Sequence, residues 1–254
     1  MTPAQDILSK AILPTHLGSA DIREQIAADI RLRSLFSART VQADYLTRMQ
    51  QVLSEVSSGT MDDATARKLL QDFLDDTGYV PDNPKSITDL GSKLRLDLII
   101  NTQREMASSV AKIQGQTQQD LDLYPAWDLV PMGVRRKPRT DWAQRWSAAG
   151  NSVGWVGAVK GRMMARKDSP IWGALGDGEG GFDDTIGNPF PPFAFNSAHT
   201  WMAISREEAA ASGLSVDDVT RPDVTLSPGE QEIKDAMKNF GPEFEAELFK
   251  ELQS

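Results

Sequence analysis

Residues Asn188 to Ser197 read NPFPPFAFNS, and the reading of this stretch decides the fold class. Three prolines and three phenylalanines occupy ten positions. Proline fixes φ and removes an amide donor, so the run suits neither a helix interior nor a central strand. It is also too apolar for an ordinary solvent loop. It is expected to be a rigid packing strap that closes a compact module without regular structure, with any exposed ring facing a partner.

Working outward, the flanking sequence fits such a module. All six tryptophans lie between Trp127 and Trp201, where glycine and proline are also frequent. GWVGAVKGRMMA and HTWMAIS read as strands and WAQRWSAA as a short helix, separated by Gly-, Pro- and Asp-rich loops. Residues 121–225 are therefore expected to form a small loop-rich α+β module.

Residues 19–120 instead carry helical periodicity, preceded by a short extension over 1–18. Ile22, Ile26, Ile30 and Leu35 mark a first helix, and Tyr45, Met49, Val52, Leu53 and Val56 a second that stops before Gly59. Thr60 with Asp63 reads as a cap for a third helix, which buries Leu69, Leu70, Phe73 and Leu74 and ends at Gly78. Ser86 or Thr88 is expected to open a long fourth helix with Leu94, Leu98, Met106, Val110 and Ile113 on one side. Short turns between these helices predict an antiparallel arrangement. After the module, Ser227, Pro228 and Glu230 form a helix start. Ile233, Met237, Phe240, Phe244 and Leu248 recur at helical steps on an acidic C-terminal helix over 226–254. The expected class is α+β: an N-terminal antiparallel helical domain, a loop-rich α+β module and a C-terminal amphipathic helix.

Composition limits the chemistry. The chain has 254 residues and a net charge of −9, which argues against a surface wholly devoted to nucleic acid or anionic membrane. It has no cysteine, which removes disulfides, thiolate catalysis and cysteine-based metal sites. The N-terminal sequence lacks a basic segment followed by an apolar core, and no apolar run nears the ~20 residues that span a bilayer. A soluble intracellular chain with no membrane partner is expected.

Two catalytic-looking patterns lack their context. Gly176, Gly178 and Gly181 match G-x-G-x-x-G, but no strand precedes and no helix follows, and Asp177 and Glu179 would repel phosphate. Gly150, Ser152 and Gly154 match G-x-S-x-G, and Asp168 or Asp177 with His199 would complete a Ser, Asp, His order. A nucleophile elbow runs strand, turn, helix, whereas the flanks here read helix then strand. A serine hydrolase using Ser152 and His199 is thus the alternative from the enzyme class. Asp177, Glu179, Asp183 and Asp184 could hold calcium, but their spacing is not that of an EF-hand. No cofactor or metal is expected.

A basic run interleaved with tryptophan supplies a binding hypothesis. Arg135, Arg136, Lys137, Arg139, Arg145, Lys160, Arg162, Arg166 and Lys167 surround Trp142, Trp146 and Trp155, with Asp141 the one acid between Val134 and Lys167. Cations with aromatic faces suit contact with DNA, or with an acidic partner. The competing reading is a basic face above a tryptophan core. For a protein partner, Trp172, Phe190, Phe193 and Phe195 in the module and Phe240, Phe244 and Leu248 in the tail are candidates. The same module rings could instead fill its core.

The order of these elements resembles the phage Mu F-like family of minor head (head morphogenesis) proteins over residues 30–200. LRSLFSARTVQADYLTRMQQVLSEVSSGTMDDATARKLLQDFLDDTGY is similar to the family's N-terminal helices. LDLIINTQREMASSVAKIQ lies where the family carries an Arg-Thr-Glu core, replaced here by Asn101, Thr102 and Gln103. PRTDWAQRWSAAG, and KDSPIWGALGDGEGGFDDTIGNPFPPFAFNS after it, resemble the compact C-terminal module. Phe195, Asn196 and Ser197 stand where the family often has a cysteine pair. Trp142 to Trp146 occupies the place of a family histidine. The resemblance implies a non-enzymatic, few-copy structural protein of a phage or prophage head, found in the virion and in host cytoplasm during assembly. Its implied partners are portal, major capsid or scaffold proteins, with packaged DNA as a further contact.

Overall fold

The computed structural model describes residues 1–132, 139–155, 161–222 and 224. The class is α+β, as expected. Two compact units emerge, Met1–Ser108 and Ser109–Val224. The division therefore falls earlier than the expected 120/121, inside the long helix. The expected C-terminal helix over 226–254 lies outside the described residues.

In the first unit the N-terminal segment is no extension. Helix α1 (Pro3–Ser9) is capped by Thr2 and Gln5, and strand β1 (Ala11–Ile12) follows. Ile7 and Leu13 are fully buried. The expected first helix is broken into α2 (Ser19–Gln25) and α3 (Ala28–Arg33), with Ile26 extended between them. Ile22, Ile26 and Ile30 still share one small core with Leu13. Leu35 leaves that stripe because it enters β2 (Ser34–Leu35), which pairs in parallel with β1. That pairing carries Leu35 into the main core beside Ile7.

Helices α4 (Ala43–Ser58) and α5 (Asp63–Asp76) form a helical hairpin. Gly59 ends α4 with φ +79°, a left-handed conformation that glycine adopts without a Cβ clash. Tyr45, Met49, Val52, Leu53 and Val56 all point inward, as their spacing predicts. The α5 cap differs from expectation. Thr60 is held by Glu55 O through its amide (3.0 Å) and hydroxyl (3.1 Å), so it still belongs to the end of α4. Asp62 caps α5 instead, accepting from Thr65 N at 2.8 Å. Leu70 and Leu74 are buried, while Leu69 and Phe73 only flank the core.

Helix α6 (Lys93–Gln114) also starts later than expected. Ser86 and Thr88 close a local turn on each other, and Ser92 Oγ accepts from Arg95 N at 3.2 Å. Leu96 and Ile100 are fully buried, whereas Leu94 is 59% exposed. Leu94 and Leu98 are offset by two residues from that pair, roughly 200° around the helix. Met106, Val110 and Ile113 are buried as predicted. Gln103, in the segment singled out by the resemblance, accepts from the buried Lys10 Nζ at 2.8 Å. Arg104 donates to Asp63 and Asn101. These contacts tie α6 to α1 and α5.

The second unit is built on a three-stranded antiparallel sheet. After α7 (Gln118–Leu123), capped by Thr117 with Asp120, come β3 (Ala126–Pro131), α8 (Trp142–Ser152), β4 (Met164–Arg166), α9 (Ile171–Asp177), β5 (His199–Ile204) and α10 (Arg206–Ala211). The strand order is β4-β3-β5. Ala126, Met164, Ile204 and Ala209 share one core cluster, which places α10 over one sheet face. Trp127, Leu129 and Trp201 have the opposite parity, and Trp127 and Trp201 pack with Trp172 of α9. Only the last part of the expected GWVGAVKGRMMA strand is β4. Its residues 156–160 lie outside the described residues.

Candidate functional site

The tryptophans make a continuous aromatic centre. Leu129 pairs with Trp201 and Trp127 with Ala203, so Trp127 and Trp201 are diagonal neighbours on one face. Their rings stack with centroids 3.6 Å apart and 10° between planes. Trp172 meets both rings edge-on, Trp146 packs against Trp172, and Trp155 closes edge-on over Trp146. Phe193 stacks on Trp172 at 6.2 Å. Trp172 Nε1 donates to Arg166 O at 2.8 Å.

This settles where the candidate interface residues lie. Trp172, Phe190 and Phe193 are buried in the unit and form its core, not a free surface. Phe195 is 37% exposed. Phe240, Phe244 and Leu248 lie outside the described residues. The strap holds its form through side-chain and backbone bonds. Asn188 Nδ2 donates to Pro192 O (3.0 Å), Ile186 N to Phe193 O (3.1 Å) and Phe195 N to Asp184 O (3.1 Å). The Pro191–Pro192 bond within it is cis.

The basic candidates are spent inside the unit. Arg145, at the inner face of α8, donates from Nε to Asp141 (2.7 Å) and from a terminal nitrogen to Asp184 (2.6 Å). Arg139 bonds the same two carboxylates, at 2.8 and 2.7 Å, and Phe195 O at 3.3 Å. Two arginines and two aspartates thus close a ring, with the Arg145 guanidinium 4.2 Å from the Phe182 ring centroid. Hydrogen bonds from Arg139, joined by those from Arg145, hold the Asp141 carboxyl far below the usual range. Burial acts to raise Asp184, but Arg145 and Arg139 outweigh it and leave it lowered.

The remaining described cations are also engaged. Arg162 pairs with Asp128 (2.8 Å) and Glu208, and Arg166 with Asp168 (2.7 Å) and the 215–218 loop. Lys167 is 2% exposed, its ammonium 5.5 Å from the Trp127 ring centroid. Burial lowers its pKa to about 8, with Asp120 partly opposing. Arg139, Arg145, Arg162, Arg166 and Lys167 therefore present no row of free charges for phosphate. Arg135, Arg136, Lys137 and Lys160 lie outside the described residues.

The two motif matches acquire packing explanations. Ser152 is the last residue of α8, and its hydroxyl donates to Ala149 O at 2.9 Å. His199 Nδ1 lies 2.8 Å from Ser197 O, with its ring against Trp142. Ser152 thus ends a helix, where a nucleophile elbow would have it begin one. A Cβ on Gly150 would stand 2.4 Å from Trp155 O, so this glycine serves the turn leaving α8. Gly176 lies within α9, so the glycines do not follow a strand, and Gly178 ends that helix with φ +85°. Asp184 of the acidic loop is bound to arginines, and among the described residues no group of His, Cys, Asp or Glu converges to hold a metal. No described helix is long and apolar enough to cross a membrane.

These features define the second unit as an α+β module with an aromatic centre and a closed ionic ring beneath an irregular strap. Comparison with protein-family models, curated proteins and solved structures finds no match for the chain.

Proposed function

We propose that this chain is a structural assembly protein that works through interfaces, in the manner of a minor head protein of a phage or prophage. The order of its elements, resembling the phage Mu F-like proteins, supports the particular setting. The observation that carries the interface reading is the mounting of Phe195. Its amide donates to Asp184 O and its carbonyl accepts from Arg139, while the Asp184 and Arg139 side chains bond each other at 2.7 Å. An aromatic ring held at the surface by a clamped backbone loses little entropy on docking, which favours its use as an anchor. Arg145 and Arg139 act in this reading as supports of the strap and not as ligands of DNA.

The test is made in the phage or prophage that carries the gene. Purified heads are expected to contain the chain in few copies, and its deletion is expected to leave heads incomplete. Phe195→Ala should lower its incorporation while tryptophan fluorescence of the second unit stays native. Complete, infectious heads formed without the polypeptide would overturn the assignment.

A further inference from the structure

Strand β5 forms one edge of the three-stranded sheet, and β4 forms the other. Met132 N donates to Ala198 O at 2.7 Å, so hydrogen-bonded pairs alternate from there along β3 and β5. Val130 with Thr200 and Asp128 with Met202 are bonded pairs. Between and beyond them, Trp201 and Ala203 turn their amides and carbonyls away from β3. Leu129, opposite Trp201, shows the same alternation, since its amide donates away from β5 to Met163 O at 2.9 Å. Among the described residues no backbone group bonds Trp201 or Ala203 on the outer side.

This edge lacks the usual protections. The β5 sequence, HTWMAI, contains no Asp, Glu, Lys, Arg or Pro, and its register with β3 runs without a bulge. The other edge, β4, is only three residues long and ends in Arg166. Helix α10 leans away from β5. Arg206 Nε donates to Asp122 O at 2.7 Å, and Glu208 pairs with Arg162, which bonds Asp128 of β3. Met202 is thereby left 45% exposed on the α10 face, and Ala203 is exposed on the opposite face. An uncharged edge with open amides is a template for a further strand.

The register of the open groups selects a second copy of β5 as that strand. Pairing of β5 with β4 of another copy would engage only three residues and would repeat without closing, whereas β5 with β5 closes as a two-fold dimer. With the axis through Met202, Trp201 of each copy faces Ala203 of the other, and these outward amides and carbonyls satisfy each other. Met202 then faces Met202 of the second copy as a non-hydrogen-bonded pair, the closer kind, so the two exposed side chains cover each other. Thr200 to Ile204 carry no charge, so no like charges oppose across the axis. We propose that β5 pairs antiparallel with β5 of a second copy about Met202, joining the two sheets into one. This inference does not depend on the assembly role.

The test is sedimentation of the full chain at rising concentration, which should show a monomer–dimer equilibrium. The chain has no cysteine, so Met202→Cys introduces a single thiol. Mild oxidation should cross-link that variant, because residues facing in such a pair have Cα atoms about 4.5 Å apart. Thr200→Cys should not cross-link, since Thr200 would lie roughly 14 Å from its own copy. Ala203→Pro removes an outward amide without touching a bond to β3, and Met202→Lys sets like charges face to face. Each should weaken dimerisation about tenfold or more. A chain still monomeric at about 0.5 mM would leave the edge to a strand of another protein and overturns the proposal. Equal cross-linking through positions 200 and 202, or a dimer undiminished by Met202→Lys, also overturns it. Should Ala203→Pro fail to fold, the exposed Met202→Lys decides alone.

Discussion

Gly176 lies directly beneath Asn188, so closely that a Cβ on Gly176 would stand 1.9 Å from the Asn188 carbonyl oxygen. Gly187 N donates to Gly176 O at 2.9 Å in the same contact. The strap therefore seats on α9 through backbone, and only glycine permits the approach. Gly176→Ala should destabilise the second unit by about 3 kcal/mol, because a backbone carbonyl cannot swing aside as a side chain can. Urea unfolding followed by tryptophan fluorescence isolates this unit, since all six tryptophans lie between Trp127 and Trp201. An unchanged midpoint would contradict the seat.

Arg145 joins Asp141 and Asp184 from a buried position, so Arg145→Met should leave two carboxylates short of a partner. The expected loss is about 3 kcal/mol, the usual cost of breaking a buried pair from one side. The same ring predicts an acid response. Asp141 and Asp184 have lowered folded pKa values, so their contribution is fully present above the unfolded value of about 4 and is lost as pH falls below it. Wild-type unfolding midpoints should drop below pH 4, and Arg145→Met should flatten that drop.

Lys167 has the opposite sign. Its folded pKa of about 8 lies below the unfolded 10.5, so the unfolded chain binds more protons between those values and stability rises with pH there. Lys167→Met removes the cost of a buried ammonium and should stabilise the second unit at pH 7 by on the order of 1–3 kcal/mol. The gain should shrink across pH 8 to 10.5. A gain independent of pH would mean that packing and not charge is responsible.

On α6, Leu96→Ala should cost about 2–5 kcal/mol, as expected for a fully buried leucine. Leu94→Ala should change stability by less than about 0.5 kcal/mol. Thermal unfolding followed by far-ultraviolet circular dichroism distinguishes the two. Similar effects would restore the face that periodicity alone suggests.

The helical hairpin was legible because its signals are local. The stripe from Tyr45 to Val56 and the stop at Gly59 each depend on neighbours within a turn or two. Caps were less so, since Thr60, Asp62 and Ser92 compete with nearby residues for the same amides. Strand β3 escaped the sequence reading altogether. Ala126 to Leu129 are buried on both faces, so the alternation that marks a half-exposed strand is missing.

By itself the sequence determined the α+β class, the absence of thiol chemistry and the rigid, aromatic character of NPFPPFAFNS, because composition and proline act without long-range help. Only the tertiary structure decided what the charged and aromatic residues do. Arg139, Arg145 and Arg162 look like a basic patch along the chain until folding brings Asp184, Asp128 and Glu208 against them. Trp172, Phe190 and Phe193 look available until the sheet and α9 enclose them, leaving Phe195 outside. Ion pairing and burial are settled by residues tens of positions apart, which spacing along the chain cannot convey.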